Sequence, residues 1–260
     1  MRLTHNSIIG RRNHVEAAPS CEDVQMTAQT RDMGGPMAIV NRFTVKEDTR
    51  LFEREFLQHA GWFGSQASID FMATFQATKR PEVYLHFGFW QTLAAFLEAV
   101  HDETYLRRAE RLGRMMDTHA DQAVSVRRVL GEKSCDLTTS TAVFITHFQV
   151  SGNCREFERN LYERCDVFAE HAGWCGTQVL RSIISPRSYI NLEWAHASGR
   201  LKRAHHDARY SQLSSMLAEA ADVVIEEARC VASQSGDRTL IAPPKPSREA
   251  VSPSGRHPVQ

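Results

Sequence analysis

The octapeptide "HAGWFGSQ" occupies His59 to Gln66, and "HAGWCGTQ" follows 112 positions later at His171 to Gln178. Six of the eight residues are identical, so the pair reads as one unit of chain written twice. Its composition suggests a turn: a Gly after His-Ala can adopt the left-handed conformation that ends a helix, which predicts Gly61 and Gly173 as C-terminal caps.

Working outward, the flanking segments match in order. "AIVNRFTV" (Ala38 to Val45) answers "VFITHFQV" (Val143 to Val150), each an alternating run rich in β-branched and aromatic residues, as a strand with one buried face requires. A helix follows in each block, "TRLFEREFLQ" and "CREFERNLYERCDVFAE". In the second, Phe157, Leu161, Cys165 and Phe168 fall on one face. If the octapeptide ends both helices, the first is shorter by seven residues, about two turns. Beyond it lie two hairpins, broken at Lys79 to Pro81 and at Ser185 to Arg187. Then come helical stretches with apolar faces at Leu106, Ala109, Leu112 and Met116, and at Tyr210, Leu213 and Leu217. "AVSVRRVL" and "DVVIEEARCV" supply the last strands. Strand, helix, two strands, helix, strand is the split βαβ, ferredoxin-like order, an α+β class, present here in tandem.

The domain organisation expected from this order is a tail over residues 1–36, a first domain over 37–130, a linker over 131–140, a second domain over 141–232 and a tail over 233–260. The ends are rich in Ser, Pro, Gly and charge, and the linker "GEKSCDLTTS" interrupts the apolar pattern. A four-stranded sheet covered by helices on one face leaves its other face apolar and bare. Two copies on one chain satisfy each other, which predicts an intramolecular pseudo-dimer closing into an α/β barrel. Whether the whole chain forms a further homo-oligomer is left open.

Composition narrows the function class. Lys and Arg balance Asp and Glu, the formal net charge is +0 and the pI is near 7.2, which gives no electrostatic footprint for nucleic acid or an anionic membrane. No stretch has the roughly 18 apolar residues of a spanning helix, and the N-terminal segment lacks the apolar run of a signal peptide, so a cytoplasmic protein is expected. Cys21, Cys135, Cys154, Cys165, Cys175 and Cys230 lie far apart without C-x-x-C spacing and read as reduced, structural residues. Neither a glycine-rich nucleotide loop nor a P-loop is present, and no cofactor is expected.

The strand–helix order, the H-A-G-W-x-G turn and a tryptophan closing the third strand resemble the antibiotic biosynthesis monooxygenase domains of the dimeric α/β-barrel superfamily, over both blocks. That resemblance implies oxidation of an anthrone- or phenol-type polyketide intermediate by molecular oxygen, without metal or flavin, in secondary metabolism. The partners it implies are a small aromatic substrate and oxygen. Haem-degrading relatives carry an Asn on the first strand, matched by Asn41, but their Trp and axial His fall at Ala99 and Ala109, so haem chemistry is not expected.

The oxygenase relatives show Asn-x-x-x-Trp on the third strand and a Tyr six residues on. The first block keeps this spacing as His86-x-x-x-Trp90 with Phe96, while the second has Asn191 only three residues before Trp194. Period-two alternation puts His86 and Trp90 on one face and sets Asn191 and Trp194 on opposite faces. The expected catalytic residues are therefore His86, as general base or oxyanion partner, and Trp90, as apolar wall and N–H donor. Asn41, Phe96, Asn191 and Trp194 are the expected substrate contacts. His59 and His171 read as helix-end residues, Trp62 and Trp174 as packing, and the His205-His206 segment as a solvated basic face. Two other readings stay open: a non-oxidative cyclase or isomerase on the same fold, and a catalytically silent small-molecule-binding protein.

Overall fold

The computed structural model describes residues 36–66, 68–130, 142–196 and 198–235; the expected linker and most of both tails lie outside them. The first repeat comprises β1 (Met37–Val45), α1 (Thr49–Gly64), β2 (Ile69–Ala77), β3 (Val83–Trp90), α2 (Leu93–Val100), α3 (Glu103–Met115) and β4 (Met116–Leu130). The second comprises β5 (Ala142–Val150), α4 (Cys154–Ala169), β6 (Trp174–Ser182), β7 (Ser188–Ala195), α5 (Ser198–His205), α6 (Ala208–Ala220) and β8 (Ala221–Ser235). Every element of the second repeat starts 105 positions after its counterpart, from Met37 and Ala142 to Met116 and Ala221.

The two sheets join into one closed eight-stranded antiparallel barrel in the order β1-β3-β2-β8-β5-β7-β6-β4. Closure falls to the two long strands. β8 pairs with β5 of its own repeat through Val143 to Val150 and with β2 of the other repeat through Phe71 to Ala77. β4 pairs with β1 and, further along, with β6. Each cross-repeat ladder contains a bulge, at Thr74/Phe75 and at Ser125/Arg127, where a twisting strand passes from one sheet to the next. The barrel interior is an apolar core drawn from both repeats, including Val40, Phe75, Phe87, Ile145, Leu180 and Leu192. The opposite face of each sheet packs under its own helices.

The helices correct two expectations. α1 and α4 are each 16 residues long. In the first repeat the helix runs on through the octapeptide, because the apolar face of Phe52, Phe56, Ala60 and Phe63 continues at helical spacing and stays buried. In the second repeat the octapeptide lies beyond the helix, where Gly173 takes the left-handed conformation (φ 83°). The octapeptides are thus not equivalent in the fold: they stand seven residues, about two helical turns, out of step with the 105-residue repeat. His59 consequently lies inside a helix rather than at its end. The single helical stretch expected in each block is also broken in two, at Asp102 and Asp207, whose side chains accept from the backbone of the next turn. Leu106, expected on the buried face, is 44% exposed, and Met116 begins β4. Cys175 is disulfide-bonded, its partner lying outside the described residues; wide spacing rules out a local metal motif but not a pairing between distant parts of the chain.

A buried carboxylate ties the repeats together at one end of the barrel. Glu226 of β8 accepts from Arg42 of β1 at 2.7 Å and from Arg80, with His147 at 3.6 Å. Burial pushes its carboxyl up, but the neighbouring His147 and the hydrogen-bonded Arg42 outweigh this and hold it at about 2.

Residues 37–130 expressed alone would expose the edges of β2 and β4 together with half of the barrel core. Light scattering after size-exclusion chromatography should find dimers or larger species. A folded, soluble monomer would contradict this account of the barrel.

Candidate functional site

Strand β3 presents His86, Gly88 and Trp90 to the helices, since residues two apart share a face, while Leu85, Phe87 and Phe89 belong to the barrel core. His86 is 8% exposed. Its cross-strand neighbour Thr74 places Oγ1 2.9 Å from His86 Nδ1 and so fixes the ring. A Cβ built on Gly88 would lie 3.2 Å from Trp90 Nε1 and 3.8 Å from His86 Nε2. The bare Gly88 backbone thus forms a shallow notch across which the Trp90 indole lies, with two ring nitrogens on its rim. Among the described residues neither nitrogen has a hydrogen-bond partner.

Aromatic rings enclose this notch. Trp90 meets Phe63 and Phe96 edge-on at 5.6 and 5.5 Å, and His86 meets Phe56 at 5.3 Å. Asn41 stands directly across from His86 on β1, on the same face. Four of the sequence-selected residues, His86, Trp90, Asn41 and Phe96, are therefore brought together.

Two neighbours were not selected from the sequence. His59 of α1 is 7% exposed and packs on Phe56, Phe63 and Tyr105 at 6.3, 5.0 and 5.3 Å. Its Nδ1 is buried with no hydrogen-bond partner. Tyr105 of α3 also meets Phe63, at 5.3 Å. The signal for His59 was the helical spacing of Phe52, Phe56 and Phe63, which continues through the octapeptide; the resemblance of that octapeptide to a turn concealed it.

Electrostatically the pocket is neutral. Burial lowers His86 to about 3, with His59 as a second cause, and burial with the nearby Arg108 lowers His59 to about 4. Burial raises the Tyr105 phenol above its ordinary value. Both imidazoles are thus uncharged at neutral pH, and the phenol keeps its proton.

The second repeat fills the equivalent place. By the 105-residue correspondence, which the strand registers share, Asn191 stands for His86, Glu193 for Gly88 and Ala195 for Trp90. Arg164 stands for His59 and Tyr210 for Tyr105. Glu193 is completely buried and projects where the first repeat has its notch. Asn191 Nδ2 donates to its Oε1 at 3.0 Å and Tyr210 donates to Oε2 at 2.8 Å. His205 Nε2 lies 3.2 Å from Oε2, and Arg164 lies 3.6 Å from Oε1. Burial opposes the charge on Glu193, but Arg164, His205 and Tyr210 together hold the carboxyl below its ordinary range. His205, expected on a solvated face, is thus partly engaged by a buried carboxylate. Trp194 lies on the opposite face from Asn191, in the barrel core, with its indole over Gly176. Asn191 and Trp194 therefore do not form one pocket.

Among the described residues no helix is long and apolar enough to cross a membrane, and no group of three or more His, Cys, Asp or Glu side chains could hold a metal ion.

Acid should loosen this pocket. In the unfolded chain both imidazoles titrate near 6.5, whereas the fold keeps them neutral to about 4 and about 3. The unfolded state therefore binds more protons across that window, so stability is complete above about pH 6.5 and declines as pH falls. Melting curves from pH 7 to pH 4 should show a steeper decline for the wild type than for a His59→Phe/His86→Phe variant, a difference on the order of several kcal/mol. Parallel declines would contradict the assignment.

No protein-family model matches the chain, and no curated protein matches it. Solved structures do. A candidate monooxygenase from Fusobacterium nucleatum superposes with a TM-score of 0.66 at 9% identity, over 78% of this chain and 95% of its own. Another from Lactobacillus acidophilus NCFM gives 0.62 at 8% identity, over 80% and 99%. An anthrone oxidase-like protein gives 0.59 at 11% identity, over 80% and 95%. At these identities the likeness concerns architecture. The chain shares with these structures a fold in which two tandem ferredoxin-like units close into a single eight-stranded barrel.

Proposed function

We propose that the first-repeat pocket is the active site of a cofactor-independent monooxygenase acting on an anthrone- or phenol-type polyketide intermediate. The observation that carries the reading is the Gly88 notch, an aromatic enclosure onto whose rim His86 Nε2 and Trp90 Nε1 converge without partners. The similarity of the fold to an anthrone oxidase-like protein supports it.

In such a reaction an enolate or phenolate passes an electron to oxygen and the two radicals combine. One oxygen atom remains on the ring carbon as a carbonyl and the other leaves as water with the two hydrogens of that carbon. The protein has to position the ring, stabilise the oxyanion and exclude water. The neutral pocket favours one of the two roles expected for His86. An imidazolium of pKa about 3 cannot hold a proton taken from a phenol near 10: the gap is roughly 7 units, or about 10 kcal/mol. Hydrogen bonding to the oxyanion carries no such penalty. In the tautomer in which the Thr74 hydroxyl donates to Nδ1, Nε2 carries the hydrogen and presents it beside the Trp90 N–H, and this is the tautomer the reading requires. The substrate enters neutral, and its proton passes to solvent as hydrogen bonds from Nε2 and the indole N–H stabilise the forming oxyanion. The second repeat, plugged by Glu193, takes no part in this chemistry.

Oxygen uptake with an anthrone-type probe in chelator-treated buffer tests the reading. His86→Ala and Trp90→Phe should each lower turnover about 10- to 100-fold, and Gly88→Ala should do the same by filling the notch. Asn191→Ala and Trp194→Phe should cost little beyond any loss of folded protein. Equal losses in both repeats would overturn the ranking, and substrate conversion without oxygen uptake would establish a cyclase or isomerase instead. The pH profile of kcat/KM should show no inflection near 6.5 from His86.

A further inference from the structure

Each repeat interprets the other. In the second repeat the Glu193 carboxylate occupies the position of the Gly88 notch, and the residues equivalent to those of the first pocket contact its two oxygens. Asn191, the counterpart of His86, and Arg164, the counterpart of His59, meet Oε1, while Tyr210, the counterpart of Tyr105, meets Oε2. The positions of His59, His86 and Tyr105 are therefore arranged around a pair of neighbouring oxygens, and in the first repeat the side chain that would bear those oxygens is missing. The chain also leaves a corresponding polar group without a partner. His59 Nδ1 is buried and unpaired, and the half-buried Tyr105 lies against its ring at 5.3 Å. An unpaired buried polar atom costs about 1–3 kcal/mol, which a ligand atom placed there would relieve.

We propose that His59 and Tyr105 are ligand-anchoring residues of the first-repeat pocket, and that with His86 they hold a neutral arene bearing two neighbouring oxygens spaced like those of a carboxylate. An enolised β-dicarbonyl, or a ring hydroxyl beside a ketone, has that spacing. Neutrality follows from the substitutions between the repeats. The positions of Arg164 and His205, the two groups that offset the charge of Glu193, hold His59 and Val100 in the first repeat. Arg108, whose charge reaches His59, is held at the exposed surface by the Gln58 carbonyl at 2.9 Å and, among the described residues, makes no ion pair into the pocket. A bound carboxylate would be buried without a counter-charge, whereas a hydroxy ketone presents the same pair of oxygens without that penalty. Tyr105 donates to one oxygen, and His86 and His59 serve the other.

The inference rests on the first-repeat pocket being the ligand site, but its test needs no turnover. Calorimetric titration of the full chain would compare three probes of one skeleton: ortho-hydroxyacetonaphthone, which has two neighbouring oxygens and is neutral; the parent naphthol, which has one; and the matching hydroxynaphthoate, which has a charged carboxylate. The hydroxy ketone should bind about tenfold more tightly than either of the others. Tyr105→Phe and His59→Phe should each cost the hydroxy ketone more affinity than they cost the naphthol, whose single oxygen engages only one side of the pocket, and His59→Gln, which keeps a hydrogen-bonding group, should recover part of the loss. Thermal melts establish that each variant is folded. Binding of the carboxylate as tight as that of the ketone would overturn the proposal, as would equal losses for ketone and naphthol or the absence of binding by any probe. A protein that binds the ketone with this pattern yet consumes no oxygen would remove the oxygenase reading and leave the anchoring assignment in place.

Discussion

The structure depends on two backbone ladders that cross between the repeats, β2 to β8 and β4 to β6. Each four-stranded sheet has two edges whose N–H and C=O groups need partners, and one apolar face that its helices do not cover. Pairing each edge with the other repeat meets both needs at once, because a closed barrel has no edges and its interior buries the apolar faces of both sheets. β4 and β8, at 15 residues each, are long enough to serve two neighbours in succession. The Glu226 cluster adds a polar tie across one seam, where a buried carboxylate from the second repeat meets Arg42 and Arg80 from the first.

Closure places the barrel core out of reach of substrate and leaves the space between sheet and helices as the location for chemistry. There the repeats have diverged while keeping their backbone. One position carries most of the difference: glycine at 88 leaves a notch, and glutamate at 193 fills it. The change at that position requires others. A buried carboxylate is tolerable only with hydrogen bonds and a counter-charge, and the second repeat provides Arg164, His205, Tyr210 and Asn191. A notch needs none of these, and the first repeat has His59, Val100, Tyr105 and His86 instead. The Glu193 carboxylate is held by the second repeat's own side chains, although Arg164 Nε and Nη2 lack hydrogen-bond partners there, whereas the first repeat leaves His59 Nδ1 buried and unpaired with no carboxylate beside it.

Neutrality is the other consequence. Two imidazoles close enough to influence one another, each among aromatic rings, cannot both carry charge, and desolvation keeps both uncharged. A pocket of this kind is suited to donating hydrogen bonds to developing charge rather than to storing protons.

The element order, the tandem repeat and the shared face of His86 and Trp90 were legible in the sequence, because strand alternation and helical spacing are local properties of the chain. So was the separation of Asn191 from Trp194, which a one-residue difference in spacing dictates. The octapeptide was legible but misleading: identical residues continue a helix through Gly61 and form the turn beyond a helix at Gly173, since the buried face formed by Phe52, Phe56 and Phe63 runs on in the first repeat and the corresponding face is complete at Phe168 in the second. The burial of His59 followed from that continuation and could not be read from the local pattern of a turn. Likewise, the equivalence of Gly88 and Glu193, the unpaired Nδ1 of His59 and the ring of groups around the Glu193 carboxylate exist only once strands and helices distant in sequence are packed together. Local periodicity determined which elements form and which way each side chain faces; tertiary packing decided which facing groups meet and which remain without a partner.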